Sequence, residues 1–165
     1  MRARISLLSL LRAVLVVLAA ALSAVVLPRL GQVGPDLVLL VVVAAALLGG
    51  HAKGALLGLC AGWVVDLMPP TAPVPGVTAL TYAMAGTVAG LWHRDSGRSA
   101  SLPALATIAA ASTVAAIDIL REVTTGWPVA WAAAGWSLAL TTAVGLAVVP
   151  LLIRVERGLI RRRLA

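Results

Sequence analysis

The sequence predicts an all-α integral membrane protein, a compact bundle of about six transmembrane helices. Three features carry that reading. Apolar residues make up 61% of the 165 residues and charged residues only 12%, whereas a soluble domain runs near half and a quarter. The mean hydropathy is +1.05. The charges also gather in short clusters between apolar runs. Together these exclude an ordinary soluble enzyme, a disordered tail and a secreted disulfide scaffold. Six helices of about 20 residues use about 120, which leaves only short loops. Residues 1–165 therefore read as a single polytopic membrane domain with no separate catalytic domain.

The first run, 8–27, follows Arg2, Arg4 and Arg12 and contains the small residues Ala21, Ser23 and Ala24. That resembles a signal peptide, but the apolar run continues past the small residues, so an uncleaved first helix is expected. The second run, 35–48, starts at Pro35, which suits a first helical turn. Asp36 beside it suits the positive end of the helix. The third run, 54–68, closes at Pro69-Pro70. The fourth covers 74–92, the fifth 102–120 and the sixth 129–153, with Pro150 near its end. A basic tail, 154–165, follows. Fifteen helical residues reach about 22 Å against a hydrocarbon core of about 30 Å, so the second and third runs are short. Two arrangements fit: two full helices that use their flanks, or a re-entrant pair. High aliphatic density, with His51-Ala52-Lys53 at the head groups, favours six helices.

With six spans and the N-terminus inside, Arg2, Arg4, Arg12, Lys53, Arg94, Arg98, Arg154, Arg157, Arg161, Arg162 and Arg163 lie inside, and Arg29 and Arg121 outside. This bias fits the positive-inside rule and predicts a bacterial cytoplasmic membrane protein with both termini in the cytoplasm. The net charge of +7 is read as orientation and attraction to anionic lipids, not as a nucleic-acid surface. Trp92, Trp127 and Trp131 suit head-group anchoring. Trp63, Trp136 and Tyr82 lie deeper and are expected to pack. Cys60, the single cysteine, is expected to be a small buried apolar residue.

Gly54, Gly58 and Gly62 recur every four residues, and Asp66 continues the spacing. They share one slowly drifting face of a helix, where small residues let another backbone approach closely. Gly86 and Gly90 offer a second such face. Two readings fit: packing of the third helix on the fourth, or a site for a partner's helix. Asp66 is costly in an apolar span. It fits a polar turn before Pro69, a partner-shaped site, or an ion relay. Asp118, Arg121 and Glu122 form a polar cluster at neighbouring helical spacings. Arg121 is expected to pair with Asp118, and with Asp66 if the third and fifth helices adjoin. No phosphate loop, His-Glu-x-x-His or Gly-x-Ser-x-Gly motif occurs. His51 and His93 lack ligand spacing, so neither a metal nor a cofactor is expected, and the chain reads as a non-enzyme.

The stretch Gly34-Pro35-Asp36-Leu37, then Gly54-x-x-x-Gly58-x-x-x-Gly62-x-x-x-Asp66-Leu67, then Pro75-Gly76 and Tyr82, resembles the rod shape-determining protein MreD family. Members carry a Pro-Asp or Pro-Asn start to the second helix, a Gly-rich helix ending in Asp-Leu, and a Gly-containing turn. Leu59 stands where Phe is frequent, and the turn from Met68 to Pro73 is richer in proline than the family's. The layout matches over most of the chain, while the specific residues lie between Gly34 and Tyr82. The resemblance implies a non-enzymatic membrane scaffold of the complex that inserts peptidoglycan along the side wall. It implies an MreC-like partner and, indirectly, the MreB filament, the RodA glycosyltransferase and a class B penicillin-binding protein. The fold it implies is that of the substrate-binding components of energy-coupling-factor transporters. That likeness supplies the alternative role, a substrate-capture subunit, which needs a polar and aromatic pocket near the outer face. The outer loops offer few hydrogen-bonding side chains for one.

Overall fold

A computed structural model describes residues 7–29, 34–68, 75–94, 101–126 and 128–164. These form six α-helices: α1 Leu7–Arg29, α2 Leu37–Gly49, α3 His51–Asp66, α4 Val77–Gly90, α5 Leu102–Thr125 and α6 Trp131–Leu164. Two stretches are long and apolar enough to cross a membrane, Leu102–Thr125 and Trp131–Glu156. Only 28% and 22% of their apolar windows are buried, unlike the core helix of a soluble protein. Large apolar side chains cover the outside of the other helices too, among them Leu18, Leu22, Leu56, Leu80 and Leu91.

The bundle is organised around α2. Its sequence, Leu-Val-Leu-Leu-Val-Val-Val-Ala-Ala-Ala-Leu-Leu-Gly, is apolar on every side, and such a helix has no face to give to water. Val38 to Leu47 are all buried. Helices α1, α3, α4, α5 and α6 all touch α2. Its thirteen residues, about 20 Å of helix, are enclosed by protein on every side. The turn from α2 to α3 is one residue, Gly50, which caps both helices at φ +84°, a backbone conformation that favours glycine.

Several boundaries differ from the sequence reading. Asp36 is the N-cap of α2 and not part of its first turn. His51-Ala52-Lys53 is the first turn of α3 and not a head-group loop. Helix α5 runs on through Arg121 and Glu122 to Thr125 and ends at Gly126, φ +73°. The basic tail continues α6 as helix to Leu164. Pro150 lies inside α6 and Pro28 inside α1. Trp63 and Trp136 do not pack inside: both are exposed, as is Cys60. Helix α3 turns its glycines inward, which leaves Leu59, Cys60 and Trp63 on its outer side. Trp127 lies outside the described residues, as do Arg2, Arg4, Arg98 and Pro69 to Val74.

At one end of the bundle, Arg12 of α1 and Glu156 of α6 pair at 2.7 Å. Glu156 is 2% exposed, and Arg12 reaches it through both Nε and an amino nitrogen. At the ends of α2 and α4, a ring nitrogen of His93 lies 2.8 Å from the Leu47 carbonyl oxygen.

Candidate functional site: a polar cleft above the start of α2

The glycine repeat sets the geometry of α3 against α4. A Cβ placed on Gly58 would lie 2.6 Å from the carbonyl carbon of Tyr82 and 2.9 Å from the Ala83 nitrogen. One on Gly62 would lie 2.6 Å from the Ala79 nitrogen, and one on Gly54 would strike the Gly86 carbonyl and, at 2.6 Å, the Ala46 methyl. From the other side, Gly86 faces the Gly54 carbonyl, and Gly90 faces the backbone of His51. The two small-residue faces meet each other within this chain. Neither is open to a partner's helix.

Asp66 ends α3 and closes the α3–α4 connection: its Oδ2 accepts the Gly76 N–H at 2.8 Å. Gly76 precedes α4 with φ +93°, a conformation that suits glycine. The other oxygen of Asp66 is buried and has no partner among the described residues. Leu67 follows, exposed. Helices α3 and α5 share at most a marginal contact, and Asp66 and Arg121 form no ion pair among the described residues.

Asp36 joins three helices. One carboxylate oxygen accepts the Leu39 N–H at 2.9 Å as the cap of α2. The other accepts the Tyr82 hydroxyl of α4 at 2.6 Å. The Asp36 N–H donates to Thr141 Oγ1 of α6 at 3.0 Å. Pro35 holds the approach to this junction, with Gly34 buried beside it and its carbonyl accepting the Ser137 hydroxyl at 3.4 Å. In the sequence Pro35-Asp36 marks a helix start and Tyr82 a packing residue, while nothing marks Ser137 or Thr141. The structure makes them one hydrogen-bonded node.

The node lies well inside the bundle. Thr141 is the eleventh residue of α6, about 15 Å along its axis. Beyond the start of α2 there is no α2 to fill the middle, and a cleft of about 440 Å³ opens between α4, α5 and α6. One stripe of α5 lines it, Ala111, Ala115, Asp118, Arg121 and Glu122, and one stripe of α6, Ala133, Ala134, Ser137 and Thr141, with Ala130 just before α6. Both stripes follow the three-and-four spacing of a helix face. Alanine methyls along each leave the space. Tyr82, Asp36, Thr78 and Thr81, with the apolar Leu39, Val114 and Leu138, complete the wall and floor. A second cavity of about 300 Å³, between α1, the start of α2 and the end of α3, shares Asp36, Tyr82 and Ser137. The Asp36–Tyr82 hydrogen bond thus stands between two cavities.

The polar cluster read from the sequence lines the first cleft, but its members do not pair as expected. Glu122 accepts the Ala130 N–H at 3.2 Å and so ties the end of α5 to the start of α6. Asp118 and Arg121 form no ion pair and no side-chain hydrogen bond among the described residues. One turn of α5 therefore presents an open carboxylate, which is exposed, and an open guanidinium, which is half-buried. The cleft wall carries both signs of charge and several hydroxyls. Among the described residues no three His, Cys, Asp or Glu side chains are grouped to hold a metal ion.

Three participants escaped the sequence reading. Glu156 had a signal, as the one acid among the arginines of 154–163: a lone acid there calls for a partner. Ser137 and Thr141 had none, because their partners are more than a hundred residues away. The chain matches no family model, no curated protein and no solved structure.

Proposed function

We propose that this chain is a multi-pass scaffold of the bacterial cytoplasmic membrane that belongs with MreD-like proteins and holds an MreC-like partner in the wall-elongation complex. The observation that supports this reading is that the residues carrying the resemblance meet in space. Pro35-Asp36 meets Tyr82, Asp66 meets Gly76, and Gly54, Gly58 and Gly62 meet α4. A motif scattered over some fifty residues acts as one locking device. In this reading all six helices lie within the bilayer, α2 enclosed by the others, and both termini face the cytoplasm. The distribution of Arg and Lys supports that orientation, and the Arg12–Glu156 pair supports two termini on one side. The glycine faces are filled, so the partner's membrane helix meets the exposed apolar sides of α1 and α3, at Leu18, Leu22, Leu56 and Trp63. The RodA glycosyltransferase, the class B penicillin-binding protein and the MreB filament would be reached through that partner.

The test is affinity capture of the tagged full chain from gently solubilised native membranes. Retrieval of an MreC-like protein, weakened by Leu56→Ala with Trp63→Ala at unchanged abundance, is expected. Capture of no such partner would overturn the reading.

One observation favours a second role, a substrate-capture subunit like those of energy-coupling-factor transporters. The polar and aromatic pocket that such a subunit needs is missing from the loops but is offered by the helices, in the cleft above Asp36 and Tyr82. Co-purification of ATPase subunits in place of an MreC-like protein would favour it.

A further inference from the structure

We infer that the cleft between α4, α5 and α6 is a binding site for a small zwitterion of the amino-acid or dipeptide class. Arg121 takes the carboxylate of the ligand and Asp118 its ammonium. This goes beyond the scaffold reading and does not rest on it.

Four features converge. The first is space: about 440 Å³ lies in the range of small-molecule sites, about 300–1,000 Å³. It arises from the fold, because α2 starts deep and alanines line the facing stripes of α5 and α6. The second is charge. Asp118 and Arg121 lie three residues apart on one helix face, and neither has an ion-pair partner among the described residues. Two opposite charges at that spacing ordinarily neutralise each other. Here both line a cavity, one of each sign, and the remaining acids of the lining, Asp36 and Glu122, leave the wall acidic in sum, with Arg121 its one cation. A plain cation would satisfy Asp118 and leave Arg121 unpaired, and a plain anion the reverse. Only a ligand bearing both charges answers both.

The third feature is that the other acids of the cleft are already engaged. Glu122 accepts from Ala130 N–H, and Asp36 accepts from Tyr82 and Leu39. They form the frame, and Asp118 is the carboxylate left for a ligand. The fourth is the floor. The Thr141 hydroxyl accepts from Asp36 N–H and retains its own proton to donate. The Thr81 hydroxyl gives its proton to the Val77 carbonyl and retains lone pairs. The floor therefore offers one donor and one acceptor to the peptide group of a dipeptide, and the alanine methyls leave room for its side chains.

The experiment uses the full chain in lipid nanodiscs, without partner, and isothermal titration with three probes of nearly one size: dialanine, propionylalanine and alanyl-alanine amide. Saturable binding of dialanine is expected, with both singly charged probes at least about tenfold weaker, since each forfeits one charge-assisted contact. Arg121→Gln and Asp118→Asn should each weaken dialanine by about tenfold or more. Neither side chain supports the fold by a pair, so both variants should keep the ligand-free melting temperature, while Arg94→Gln, an exposed residue past the end of α4, should leave binding unchanged. No saturable dialanine binding would overturn the inference, as would binding indifferent to both variants. Alanyl-alanine amide binding as tightly as dialanine would also overturn it. Because no partner is present, these outcomes are separate from the capture test of the scaffold.

Discussion

Replacing Gly58 by alanine adds a single methyl at the closest approach of two helices, and the structure gives the size of the conflict. That methyl would lie 2.6 Å from the Tyr82 carbonyl carbon and 2.9 Å from the Ala83 nitrogen. Ordinary heavy-atom contact is about 3.5–4.0 Å, so it falls short by about 1 Å. Both obstructing atoms are backbone and cannot rotate away. Helices α3 and α4 must part along their length, which also loosens Gly54 against Gly86 and Gly62 against Ala79. Overpacking of this kind costs about 1–3 kcal/mol. Against it stands the better helix propensity of alanine, up to about 1 kcal/mol. A net loss of about 1–2 kcal/mol is expected. Gly135 provides the control: it is helical, and a Cβ there meets nothing within 4 Å. Gly135→Ala should be neutral or stabilising by up to about 1 kcal/mol. Unfolding by a rising mole fraction of denaturing detergent, followed by tryptophan fluorescence, compares the two. If Gly58→Ala is as stable as Gly135→Ala, the close approach of α3 and α4 is wrong. The methyl strikes the carbonyl of Tyr82 itself, so Gly58→Ala should also be non-additive with Tyr82→Phe, by about 0.5 kcal/mol or more.

Tyr82→Phe alone removes a hydrogen bond to a carboxylate and should lower stability by about 1.5–3 kcal/mol; a change below 0.5 would mean that the node holds nothing together. Arg12→Gln leaves Glu156 buried without its partner, at a cost of about 3–5 kcal/mol, and Arg12→Gln with Glu156→Gln should recover much of it; a double variant no better than the single one would refute the pair. Asp66→Ala strands the Gly76 N–H and should lower the melting temperature, whereas Leu67→Ala, on an exposed side chain, should not. In a Cys60→Ser background, an impermeant maleimide applied to intact cells should label Thr125→Cys and spare Gly158→Cys; the reverse pattern would invert the proposed orientation.

The all-helical class and the number of helices among the described residues were legible because they rest on composition and run length, which solvent preference reads directly. The glycine spacing told of close packing but not of the neighbour, since spacing defines a face and not what meets it. Asp36 shows the limit most plainly. Its place beside a proline at the start of an apolar run marked a helix start, and it is indeed the cap. Its second oxygen goes to Tyr82, 46 residues on, and no local pattern encodes that meeting. The cleft itself was invisible. It exists because α2 begins deep beside α6, and relative depth is a property of packing, not of any one segment. Asp118 and Arg121 misled for the same reason: their spacing permits a pair, but the side chains line a cavity with the charges left apart.

The Arg12–Glu156 bridge joins positions 144 residues apart. In the proposed multi-pass topology α1 enters the membrane early, carrying an arginine with no carboxylate to meet it, and that arginine must wait until most of α6 has emerged. A chain that stalls or is cut short before Glu156 keeps an unpaired charge in its first helix, which membranes tolerate poorly. Completion of the chain is thereby written into the chemistry of its beginning. Fragments ending before α6 should be retained by insertion chaperones or degraded by membrane proteases, while the finished bundle, its charge neutralised, escapes both.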